Sequence, residues 1–296
     1  MALASGDPTV TRMGGVGLPP YVATIRGRGA TLGRGGRGER GERGREAAPA
    51  TEWLYGRNAV TEALRARRRS LRRLVVASGA REAGLRGLIE EASRANLTPA
   101  EQPREQLDRL VQGANHQGVL LEVGPYPYAD PDDLLAVERE GGPLYLLLDQ
   151  LQDPQNVGTL LRSAEAIGVT GVLIPEHRAA TITPAVANAS AGATEWLQIA
   201  RVTNLTRLIG QLKERGVWVA GLEGVPEAKP IDDADLRGGL AIVVGSEGGG
   251  ISRLVRESCD FLIRLPMRGE IGSLNAAVAG SLALYAADQQ RHANDE

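Results

Sequence analysis

"LYLLLDQLQDPQNVGTLLRSAEAIGVTGVLIP", residues 144–175, decides the fold. Its first run, "LYLLLD", is apolar at every position except the last, and its last run, "GVLIP", is apolar throughout. Between them the spacing predicts a helix from Val157 to Ile167, ended by Gly168. Strands without alternation are strands buried on both faces, and strands joined through a helix run parallel. Three more apolar runs follow, "VWVAGL" (217–222), "LAIVVG" (240–245) and "FLIRLP" (261–266). The region from 143 onward therefore reads as an α/β domain with a parallel sheet covered on both sides. Such sheets bind ligands outside the carboxyl ends of their strands.

Three of those strand ends carry unusual chemistry. After "LYLLLD" come Asp153 and Asn156 in a turn, Gly158 at the helix start and Arg162 further along the helix. After "LAIVVG" comes "SEGGGIS", with Glu247 set among glycines; this reads either as a ligand loop or as a tight turn before the next helix. After "FLIRLP" comes "MRGEIGSLNAAVAG", where Ser273 and Asn275 bracket Leu274. This polar pair reads equally as a helix cap, since a side chain such as the Ser273 hydroxyl can accept from the free N–H groups of a first turn. The glycine run follows a late strand instead of the first strand of a βαβ unit, which disfavours a dinucleotide-binding loop and with it a nicotinamide-dependent oxidoreductase.

Upstream, residues 52–123 form a second, smaller α/β pattern. "GRNAVTEALRA" is helical, with Val60, Ala63 and Leu64 in register; "LRRLVVAS" is a strand. "EAGLRGLIEEASRAN" is a helix with Leu85, Leu88 and Ile89 on one face, and "HQGVLLEV" closes the unit as a strand. The cluster "RARRRSLRR" (65–73) reads as a grip for RNA phosphates or as a solvated face. Prolines 125, 127 and 131 mark residues 124–142 as a linker with a short helical turn. Residues 1–50 are glycine- and arginine-rich and too poor in apolar residues to fold, so they read as a disordered tail. From 26 to 46 the tail holds seven Arg against three Glu, enough for loose phosphate contact.

Composition narrows the function further. The 296-residue chain is 42% hydrophobic, sufficient for two cores, and its net charge of −2 makes any basic surface a local one. Lysine occurs only at 213 and 229, neither in a phosphate loop. With Cys259 alone, and His116, His177 and His292 far apart, neither a disulfide nor a metal cluster is expected. No signal peptide or membrane-length apolar run is read, so the protein is expected to be soluble and cytoplasmic.

Taken together, the three loops resemble the motifs of the SpoU/TrmH family of RNA ribose 2′-O-methyltransferases, a branch of the SPOUT superfamily. The resemblance spans 143–291 and puts Asn156, Arg162, Glu247, Ser273 and Asn275 on motif positions. "WLYGRNAVTEALRA" (53–66) and "HQGV" (116–119) look like the small ribosomal-protein-like substrate-binding domain of the RlmB type, which modifies a guanosine of 23S ribosomal RNA. The resemblance implies a deep trefoil knot within 143–296, S-adenosylmethionine held through backbone groups at Gly245, Leu265 and Leu274, no metal, and a homodimer built on the knotted domain. In the helix that Ser273 and Asn275 open, the spacing puts Leu274, Val278, Leu282 and Tyr285 on a buried stripe. In the family the arginine at position 162 is cast as the base; a guanidinium stays protonated, so an orienting and electrostatic role is expected, with Glu247 and Asn156 holding Arg162 or the ribose. Methylation of tRNA or of another ribosomal RNA nucleotide is the alternative activity. A non-catalytic ribosome-assembly factor is the alternative class, against which stand the five filled polar positions.

Overall fold

The computed structural model describes residues 51–80, 84–177, 179–270 and 272–293; the expected disordered tail, 1–50, lies outside the described residues. The small domain comprises β1 (Glu52–Tyr55), α1 (Arg57–Ala66), β2 (Leu71–Ala77), α2 (Arg86–Arg94), β3 (Ala100–Gln102), α3 (Arg104–Leu110) and β4 (Val119–Val123). Its sheet runs β1-β4-β2-β3, antiparallel except for the β2–β3 pair. Side chains alternate across a strand, so Leu54, Leu74, Val119 and Leu121 meet Val60, Leu64 and Leu88 on the helix side. Val75, Ala77 and Leu120 face the other way, under Leu107 of α3. His116 is buried there with both ring nitrogens engaged, one by the Gly118 N–H at 3.0 Å and one by Asp108 at 3.0 Å, which makes it a core histidine.

The expected linker is packed down. Tyr126 is buried, Ala129 bridges Ala200, and α4 (Pro131–Leu135) buries Leu134 and Leu135. Beyond it come β5 (Leu144–Leu148), α5 (Pro154–Ile167), β6 (Gly171–Pro175), α6 (Pro184–Ala189), β7 (Ile199–Val202), α7 (Leu205–Glu214), β8 (Trp218–Leu222), β9 (Lys229–Pro230), β10 (Leu240–Val244), α8 (Arg253–Ser258), β11 (Phe261–Arg264) and α9 (Ala276–His292). The sheet order is β7-β6-β5-β10-β8-β11-β9, and every pair is parallel. All five strands read from sequence are present. The edge strands β7 and β9 are additional, and β9 is two residues ending in a proline, which only an edge tolerates.

Three expectations are corrected. The helix read from Val157 starts at Pro154: Asp153 caps it, accepting from Gln155 N and Asn156 N, and a proline is at home in a first turn. Asn156 is thus helical, at the top of α5. The supposed buried stripe of α9 is the outer one, with Leu274, Val278, Leu282 and Tyr285 from 40% to 56% exposed. What α9 buries is Ala277, Gly280, Ala283, Leu284 and Ala287. A Cβ on Gly280 would lie 2.9 Å from Leu160 Cδ1 and 3.0 Å from Val244 Cγ2, so the helix approaches α5 and β10 too closely for large residues.

The third correction concerns the middle of the basic cluster: Arg65, Arg67, Arg72 and Arg73 are exposed, as a solvated face would be, but Arg69 is buried and Arg68 half-buried. Arg69 is buried between the domains, 3.0 Å from Glu195 and 3.1 Å from Glu52, with its guanidinium 4.8 Å from the Tyr126 ring centre. Its Nε donates to Glu195 Oε2 at 3.2 Å, whereas the Nη2 contact with Oε1 is an ion pair by distance, with an angle too poor for a full hydrogen bond. Arg68 donates to the Leu197 carbonyl, and Arg65 pairs with Glu62 and Glu91. Trp196 Nε1 donates to Glu62 Oε2 at 2.9 Å across the same junction. Arg69 looks solvated in sequence because nothing local reveals the carboxylate of Glu195, 126 residues away.

Candidate active site

The carboxyl ends of β5, β10 and β11 come together because β10 lies directly beside β5 and one strand from β11. The glycine loop after β10 folds back on itself: Ser246 and Gly250 exchange backbone hydrogen bonds at 3.0 Å, and a Cβ on Gly245 would meet the Gly250 carbonyl carbon at 2.2 Å. Two carboxylates anchor the loop's far side. Asp149, buried at the end of β5, accepts from Ser252 N at 2.7 Å, and Glu223, after β8, accepts from Ile251 N. The loop is therefore a tight turn before α8 as well as the presenter of Glu247.

Glu247 is exposed at the rim and joined to two asparagines. Asn156 Nδ2 donates to Glu247 Oε1 at 2.7 Å, and Asn275 Nδ2 donates to the same oxygen and, at 2.8 Å, to Asn156 Oδ1. Among the described residues Glu247 Oε2 accepts nothing. The cap of α9 is Asn275, not Ser273: its Oδ1 accepts from Ala277 N at 2.9 Å and Val278 N at 3.2 Å. One amide thus starts the helix and completes the cluster. Asn275→Ala is expected to cost about 1 kcal/mol of stability as a lost cap and, by freeing Glu247, to cut turnover by more than the stability loss explains; a thermal melt and a single-turnover assay separate the two effects.

Beside the cluster is a cavity of about 510 Å³, within the roughly 300–1,000 Å³ of small-molecule sites. Gly245, Leu265 and Leu274 line it, together with Val244, Glu247, Ser273 and Asn275. Among the described residues the backbones of Gly245, Leu265 and Leu274 make no backbone hydrogen bond, so an apolar cavity is edged with open donors and acceptors. That combination suits a purine ring and its ribose. Arg162 stands apart: it is exposed on α5, lines no part of the cavity, and makes no ion pair among the described residues, so Glu247 does not hold it. Cys259 is no rival nucleophile, because burial pushes its thiol up to about 12. Glu223 was missed in the sequence; its only signal was a carboxylate immediately after a buried strand.

The fold and this site define a class. Residues 143–285 match the SpoU rRNA Methylase family, and residues 53–129 match the family described as RNA 2′-O ribose methyltransferase substrate binding. The chain is 43% identical over 243 residues to YacO of Bacillus subtilis (strain 168), of the TrmH tRNA/rRNA methyltransferase family; the match covers 81% of this chain and 96% of that one. It is 42% identical over 241 residues to a TrmH-family relative in Staphylococcus aureus (strain MSSA476), again over 81% and 96%. Among solved structures, the SpoU methyltransferase AviRb of Streptomyces viridochromogenes, solved with AdoMet, superposes with a TM-score of 0.68 at 23% identity, covering 83% of this chain and 92% of that one. A TrmH-family protein of Porphyromonas gingivalis gives 0.61 at 26% identity, covering 83% and 91%. The chain belongs to the SpoU/TrmH family of RNA 2′-O-methyltransferases.

Proposed function

We propose that the protein transfers a methyl group from S-adenosylmethionine to a ribose 2′-hydroxyl, with a guanosine of 23S ribosomal RNA as the substrate and the cytoplasm as the compartment. The observation that carries this reading is the Asn156–Glu247–Asn275 cluster at the rim of a cavity with unpaired backbone groups. Gly245, Leu265 and Leu274 would hold the cofactor, which supplies an electrophilic methyl on a sulfonium centre. The two amides fix the Glu247 carboxylate so that its free Oε2 can accept from the ribose hydroxyl, and the Ser273 hydroxyl beside it offers a second contact. Arg162 orients the hydroxyl or its neighbouring phosphate with its planar fork. Residues 52–123 read the RNA, 124–142 join them to the catalytic domain of 143–296, and the chain ends in the family's trefoil knot.

Mapping 2′-O-methyl marks on RNA from cells with and without the protein tests the substrate: loss of one guanosine mark in 23S RNA supports the reading, and loss of a tRNA mark redirects it. Calorimetry with S-adenosylmethionine against NAD tests the cofactor.

The same reading makes the protein a homodimer. Leu274, just before α9, and Val278, Leu282 and Tyr285 on it form an exposed apolar stripe that begins at a residue lining the cavity, and a second copy seated on it would lie beside the reacting end of the site. Leu282→Glu is expected to shift the protein from dimer to monomer in light scattering at micromolar concentration. A wild-type monomer with intact activity would refute the dimer.

A further inference from the structure

We infer that the Trp53–Arg73 stack on the open end of the small sheet is a platform for one unpaired RNA base. The inference rests on the reading of this domain as the substrate reader and names the site within it.

Strand register builds the platform. Trp53 pairs with Glu122 across β1 and β4, and Glu122 pairs with Arg73 across β4 and β2, so the three form one row on the face opposite α1 and α2. The next row, Tyr55, Leu120 and Val75, meets the Leu107 cluster under α3, and Trp53 packs against that cluster's edge. Arg73 lies over the Trp53 ring, its Cζ 5.0 Å from the ring centre, and its Nε is 3.5 Å from Glu122 Oε2. Its side chain is nonetheless 48% exposed. A guanidinium held over an indole and beside a carboxylate is placed in advance, and about half of its side chain is left open to solvent.

That guanidinium suits a base better than a phosphate. Single-stranded RNA is held by stacking its bases on aromatic rings and arginine planes. A carboxylate beside the guanidinium weakens a phosphate contact but leaves stacking untouched. Arg68 and Arg69, which sequence offered for phosphate, are spent on the domain junction. The position is also apt. Trp53 follows Glu52, which pairs with Arg69, which pairs with the buried Glu195 of the catalytic domain, so a base held here lies next to the junction between the two domains.

The test uses the full chain with Trp196→Phe and Trp218→Phe, which leaves Trp53 as its one tryptophan. Its fluorescence is titrated with a single-stranded RNA 12-mer and with the same strand annealed to its complement. Saturable quenching by the single strand, at least several-fold weaker for the duplex, is expected. Arg73→Gln should weaken single-strand binding roughly 5- to 10-fold, the scale of one lost base stack, and Arg73→Lys should fail to restore it. Equal quenching by the duplex, rescue by lysine, or unchanged affinity of a folded Arg73→Gln protein would each overturn the platform. Methyl transfer to bulk RNA by the wild-type protein is measured alongside: its presence with a failed platform leaves the methyltransferase reading standing, and its absence sinks that reading whatever the 12-mer does.

Discussion

Arg162→Lys is expected to leave a folded protein that binds S-adenosylmethionine normally and transfers methyl groups about 100-fold more slowly, the scale of a lost positioning group. The structure removes the competing explanation for such a loss. Arg162 is exposed and unpaired among the described residues, so no buried ion pair with Glu247 is broken when its fork is removed. A surface exchange of this kind changes stability by less than about 0.5 kcal/mol. Lysine keeps the charge but offers a point where arginine offers two parallel donors, so a residue needed only for local positive potential would survive the exchange. A thermal melt, cofactor calorimetry and single-turnover transfer to ribosomal RNA make the comparison. Near-normal turnover in the lysine variant would remove Arg162 from the reaction.

The position of Arg162 illustrates where sequence reading stops. The central strands were legible because each is an apolar run bounded by glycine, proline or charge, and the loops after them stood out because their polar residues have no place in a core. Neighbourhood was another matter. Asn156 and Glu247 are 91 residues apart and share a hydrogen bond only because β10 inserts beside β5, an order that no local pattern encodes. The inner face of α9 was misread for a related reason: both faces are apolar, and periodicity cannot say that the alanine and glycine side is inside until Leu160 and Val244 are known to press against it. Edge strands β7 and β9 are too short to carry a periodic signal at all.

Arg69 is the largest such surprise, and removing it has the largest expected effect on stability. Arg69→Met should lower stability by about 3–5 kcal/mol, because it leaves Glu195, almost completely buried, without a counter-charge. Arg68 cannot substitute, since its guanidinium is bonded to the Leu197 carbonyl. Glu52 suffers less, its side chain being 22% exposed and able to reach water. The cost therefore lies mainly in the orphaned Glu195, and Arg69→Met with Glu195→Met should recover most of it, as replacing a whole buried pair by apolar residues often does. The melting midpoint should fall by about 10 °C in the single variant and return toward wild type in the double. Because the pair spans the two domains, proteolysis within 124–142 should speed up in the single variant only. A single variant that melts like the wild type, or a double variant no better than the single, would show that the junction does not depend on this ion pair.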